Sequence, residues 1–181
     1  MLLLTDPVDS FWVRSAIGFD GKPFKSITQG DDGLESLPLE AAPKAETSRA
    51  EGAALATLIA LFKQALESDV SDVRSTARLT ASPVCLVARD QGLDRTLERL
   101  LTRQNAAGVT ATAPVFEINP EHPLIVALAA KAAQGGAADR IREAAHLLLD
   151  QARILEGETP TDPARFGQAL VELMLESVNS K

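Results

Sequence analysis

The chain has 181 residues, 45% of them hydrophobic and 24% charged, with a formal net charge of −7. That length fits one medium domain, or a domain with part of a neighbour, and the acidity argues against a nucleic-acid backbone as main partner, because phosphate binding needs clustered Lys and Arg. Cys85 is the one cysteine, so no internal disulfide can form, and with His122 and His146 the only histidines no Cys/His metal cluster can be assembled.

The opening Met1-Leu2-Leu3-Leu4 lacks a positive flank, and Thr5-Asp6-Pro7 cuts it short, so it does not read as a signal peptide. No apolar stretch approaches membrane-spanning length. These features and the absence of disulfides predict a cytoplasmic protein. Residues 2–4 read as a buried strand, Val8 to about Ile17 as a short helix, and Phe19-Asp20-Gly21-Lys22 as a turn into a second strand, Pro23–Ile27. Phe11 and Trp12 are neighbours on that helix and cannot both face one core. This strand–helix–strand is too small to bury a core, which predicts that the chain begins inside a larger protein. Gln29 to about Arg49, with Gly30, Gly33, Pro38 and Pro43, reads as a linker.

Leu55, Leu58, Ile59, Phe62 and Leu66 then fall on one face of a helix. Val73, Ser75, Ala77 and Leu79 alternate as a strand, Ala81-Ser82-Pro83 turns the chain, and Val84–Ala88 is expected to return as an antiparallel partner. Gly92 opens a helix to about Gln104, with Leu93, Leu97, Leu100 and Leu101 as its stripe. Pro114–Ile118 is the third strand. Asn119-Pro120 has the pattern of an N-cap with proline at the first helical position, and that helix runs to about Gln134, where Gly135-Gly136 breaks it. The next spans Ala138 to Leu155 and stops at Gly157, and Asp162-Pro163 launches the last. The order predicts an α+β fold, a small three-stranded sheet with packed helices and a helical end.

The two closing helices carry more apolar surface than a small domain can bury alone. Ile141, Ala145, Leu148, Ala152 and Leu155 recur at three- and four-residue spacing, as do Phe166, Leu170, Leu173 and Met174. A stripe this wide fits packing on its own domain or on a second copy. We take Ile141, Leu148, Ala152, Leu155, Phe166, Leu170, Leu173 and Met174 as the candidate dimer interface. Cys85, in an apolar strand without a nearby activating histidine, reads as inert. His122 is explained by a local hydrogen bond, and His146 by an interface or edge position. No nucleophile–base set, carboxylate pair or phosphate loop stands out, so no catalytic, cofactor or metal site is expected in this chain.

Several stretches taken together resemble the heat-shock protein 90 family: Asp6-Pro7-Val8-Asp9 with Phe19-Asp20-Gly21-Lys22; Arg78-Leu79-Thr80-Ala81-Ser82-Pro83; Phe116-Glu117-Ile118-Asn119-Pro120-Glu121-His122-Pro123-Leu124-Ile125; Leu147-Leu148-Leu149-Asp150-Gln151-Ala152; and Thr161-Asp162-Pro163-Ala164-Arg165-Phe166. The resemblance implies that residues 1–40 are the end of a middle domain and 41–181 a C-terminal dimerisation domain. It also implies that the terminal helical pair of each subunit joins an intermolecular four-helix bundle. ATP and Mg would belong to an N-terminal domain of the full-length protein, and this part would not be an enzyme. It further implies client binding by Leu93, Leu97, Leu100 and Leu101, facing the cleft between protomers, and by an aromatic aligning with Phe11, beside Trp12. Eukaryotic cytosolic members end in Met-Glu-Glu-Val-Asp; this chain ends Ser177-Val178-Asn179-Ser180-Lys181, so docking of tetratricopeptide-repeat co-chaperones is not expected. The rival from another class is a helical adaptor or scaffold dimer without client binding.

Overall fold

A computed structural model describes residues 6, 9–24, 50, 52–89, 95 and 112–179. The strand expected at 2–4, most of the strand expected at 23–27, the linker at 29–49 and the leucine-striped helix at 92–104 lie outside the described residues or nearly so. The chain divides into two compact units, Met1–Leu39 with Val87–Val115, and Glu40–Leu86 with Phe116–Lys181.

In the first unit, helix α1 spans Asp9–Ser15. The Asp9 carboxylate accepts the Asp6 N–H at 2.9 Å and so fixes the entry to the helix. Beyond it, Phe19 and Lys22 exchange backbone hydrogen bonds of 2.9 and 3.0 Å around Asp20-Gly21. Both turn residues have positive φ, the geometry that Asp-Gly favours in a two-residue hairpin. Gly18 has no substitute, because a Cβ there would lie 2.1 Å from the Lys22 carbonyl oxygen.

The second unit is built around helix α2, Gly52–Ala65, whose Leu58 and Phe62 are buried, as is Leu66 just beyond it. Strand β1 is Asp72–Ser75, β2 Val84–Val87 and β3 Val115–Ile118. Helices α3 (Pro123–Gln134), α4 (Ala138–Leu155) and α5 (Pro163–Asn179) follow. The α+β expectation with a three-stranded sheet holds for the described residues. The pairing expectation does not, because the strand order is β1-β3-β2. Thr76 N–H, just past β1, donates to the Ile118 carbonyl at the end of β3, so those strands run parallel. Asn119 N–H, just past β3, donates to the Pro83 carbonyl ahead of β2, so β2 is antiparallel to β3. Residues 76–83 thus link two strands that flank β3 and are not a hairpin turn. Every residue of β3 is buried, as befits a central strand. The strand expected to reach Leu79 stops at Ser75 because the Thr76 hydroxyl accepts the Arg78 N–H at 3.2 Å and bends the chain.

α2 packs against β1, α3 and α4, and Phe62 meets Phe116 of β3 at 6.2 Å between ring centroids. α4 turns Ile141, Ala145, Leu148, Leu149 and Ala152 into this core. Its end at Gly157 (φ 76°) and the end of α3 at Gly135 (φ 72°) fall where the glycines predict. The start of α3 is three residues later than expected. His122 is the N-cap, its Nδ1 accepting the Leu124 N–H at 3.2 Å, with Pro123 at the first helical position. Asn119 instead ties the preceding turn, accepting the Glu121 N–H at 3.0 Å and donating to the Ser82 carbonyl at 3.3 Å.

Candidate functional site

α4 and α5 form an antiparallel helical hairpin. Asp162 caps α5, its Oδ1 accepting the N–H groups of Ala164 and Arg165 at 3.1 and 3.0 Å. At the same end Asp150 of α4 accepts the Thr161 N–H at 3.3 Å. At the other end Arg140 meets Glu176 through two contacts, Nη1 to Oε2 at 3.0 Å and Nη2 to Oε1 at 2.7 Å. Both side chains are more than half exposed, so the pair sets register and adds at most about 1 kcal/mol.

The two helices treat their apolar residues differently. Ile141, Leu148 and Ala152 of the candidate interface are covered by the protomer's own core. Periodicity identifies the apolar face of a helix but not the neighbour that covers it, and here α2 packs on α4. Leu155 is exposed, Phe166 is half-buried against α4, and Leu170, Leu173 and Met174 are exposed, Met174 at 60%. α5 buries Ala169 alone. Sequence reasoning missed three more apolar residues that α5 exposes, Val171, Leu175 and Val178. Their three- and four-residue spacing was the available signal; with Leu170, Leu173 and Met174 they make an apolar arc about half the helix circumference wide.

Along the α4–α5 seam lies a crease with room for about one water, lined by Glu143, His146, Leu147, Asp150, Arg165, Phe166 and Ala169. His146 is half-buried there, and burial, followed by the charge of Arg165, holds its pKa below the ordinary histidine value. Among the described residues no group of three potential metal ligands occurs, and no helix is long and apolar enough to cross a membrane.

In the other unit Trp12 is half-exposed and packs at a tilt against Phe24, with ring centroids 5.4 Å apart. The Phe11 side chain, Leu93, Leu97, Leu100 and Leu101 lie outside the described residues.

Cys85 lies on β2 with its Sγ 3.8 Å from Oε2 of the buried Glu117. Burial first, and then the Glu117 charge, push the thiol up to about 12. At neutral pH its thiolate fraction should be about a thousandfold below that of an ordinary cysteine near pKa 9. Iodoacetamide should therefore label Cys85 very slowly in the folded chain and rapidly in urea; equal rates would show the thiol to be accessible and activated.

Comparison with known proteins fits the sequence resemblance. The family model for Hsp90 protein matches residues 1–181. The chain belongs to the heat-shock protein 90 family. Curated relatives include the chaperone protein HtpG of Azorhizobium caulinodans, 49% identical over 175 residues, covering 96% of this chain and 27% of that protein. HtpG of Nitrobacter hamburgensis is 47% identical over 176 residues, covering 96% of this chain and 27% of the relative. HtpG of Rhizobium etli is 48% identical over 183 residues, covering all of this chain and 28% of the relative. The chain thus spans little more than a quarter of the length of the curated relatives it matches, and the hairpin is its most apolar exposed feature among the described residues of this family member.

Proposed function

We propose that this chain is the C-terminal dimerisation part of an ATP-dependent, cytoplasmic molecular chaperone of the HtpG type, with residues 1–40 the end of the middle domain and 41–181 the dimerisation domain. The observation that carries the reading is α5: one residue buried, and six large apolar residues left exposed along a single helix. A contiguous apolar arc of this kind marks an interaction surface. Because the arc is wider than one helix–helix contact, it suits a bundle in which each α5 meets its own α4 and two helices of a second copy. Leu155, Leu170, Leu173 and Met174 reach the partner, joined by Val171, Leu175 and Val178. Ile141, Leu148 and Ala152 brace α4 from behind.

Permanent association of this kind makes closure of the remote arms of a dimer intramolecular, at an effective concentration of roughly millimolar. Weak nucleotide-controlled contacts between those arms then suffice for a cycle. ATP and Mg chemistry belongs to other parts of the whole protein, and this chain itself is not an enzyme. Partly folded clients bind through dispersed apolar contacts, for which Phe11, Trp12, Leu93, Leu97, Leu100 and Leu101 are the candidates. Light scattering tests the reading directly. The expected molar mass is twice the 19.2 kDa of one chain at micromolar concentration, and a compact 19.2 kDa species at high concentration would overturn it.

A further inference from the structure

The seam between α4 and α5 closes over His146, and the charges around it are unevenly committed. Arg153 reaches Asp69, in the turn after α2, at 3.2 Å and Asp150 at 3.7 Å. Asp150 also accepts the Thr161 N–H. Asp69 and Asp150, the carboxylates that favour an imidazolium, are therefore shared with Arg153. Arg142, on the same helix, is held by Asp139 at 2.6 Å. Arg165 lines the crease from α5, and Glu143, an exposed carboxylate three residues before His146, lines it from α4. Phe166 and Ala169 supply the apolar remainder.

We propose that His146 is an acid-sensitive latch of the α4–α5 hairpin. Neutral, it lets α5 lie closely on α4. Protonated, it brings a second cation beside Arg165 into a half-dry seam and loosens α5. The dimer reading enters in one consequence only: loosening α5 weakens subunit association. The sign follows from linkage. The folded-state pKa is lower than that of the unfolded chain, which is near 6.5. The contribution of neutral His146 is complete above that value. It is lost as pH falls toward the folded-state value, below which no further change occurs.

The test measures amide-exchange protection of α5, corrected for the intrinsic pH dependence of exchange, together with the dimer dissociation constant of the full chain. Both are taken at pH 7.5 and 5.5 for the wild type, His146→Gln and Arg165→Gln. Wild type should lose roughly threefold more protection and association than His146→Gln over this interval, and Arg165→Gln should lie between them. Equal pH slopes in wild type and His146→Gln would overturn the latch. If His146→Gln fails to fold, an NMR titration of the wild-type ring decides, and a value at or above 6.5 overturns the proposal. A chain that is monomeric at both pH values while α5 protection still follows His146 supports the latch and defeats the dimer reading.

Discussion

Leu170→Glu is expected to leave the protomer folded and abolish its self-association. Leu170 is 45% exposed on α5, so a carboxylate there stays hydrated in a lone chain and costs its stability little. In a bundle the same carboxylate would be desolvated between two copies, by symmetry twice per dimer. Burying an unpaired charge costs several kcal/mol, and about 3 kcal/mol already weakens association more than a hundredfold. Ile141→Glu provides the contrast. Ile141 is 1% exposed in the core beneath α2, so its replacement should unfold the protomer itself. Sedimentation equilibrium and circular dichroism together separate the two results: a folded monomer for Leu170→Glu, and loss of helical signal for Ile141→Glu. A Leu170→Glu chain that remains dimeric at micromolar concentration would remove this face of α5 from the interface.

This contrast also marks what the amino-acid pattern can and cannot disclose. Local signals carry α4 from Ala138 to Leu155 and place its end at Gly157, because amphipathic period and glycine act within a few residues. The Asp162 cap was legible for the same reason. Asn119-Pro120 misleads because an Asn side chain closing a turn over Glu121 and an Asn capping a helix present the same sequence. The β1-β3-β2 order was beyond reach, since two strands close in sequence give no sign that a later one will insert between them. For the candidate site, the spacing found both hairpin helices but assigned Ile141, Leu148 and Ala152 to a partner. They are buried in the protomer's own core, where α2, more than seventy residues earlier in the chain, packs on α4, and no periodicity within α4 encodes that neighbour.

The sharpest long-range feature is Glu117, and its removal should markedly destabilise the protomer. Its side chain is 3% exposed within an otherwise apolar strand. Arg74 of β1 places Nε and Nη2 each 2.9 Å from Oε1, and Arg78 bonds Oε2 through Nη2. The carboxylate therefore separates two guanidiniums that converge from positions 43 and 39 residues away. Glu117→Ala would leave those like charges facing one another in a region with little water, a loss of about 3–5 kcal/mol. Glu117→Gln keeps the shape and one acceptor, so it should be intermediate and isolate the part due to charge. Replacing the ion pair by carbon, Glu117→Leu together with Arg78→Leu, should recover much of the loss, because well-packed apolar side chains can substitute for a buried pair. Urea unfolding with linear extrapolation reads all three. If Glu117→Ala unfolds at the wild-type midpoint, the carboxylate is not what holds β1 and the 76–83 connection onto β3. The sheet would then rest on its backbone hydrogen bonds and apolar packing.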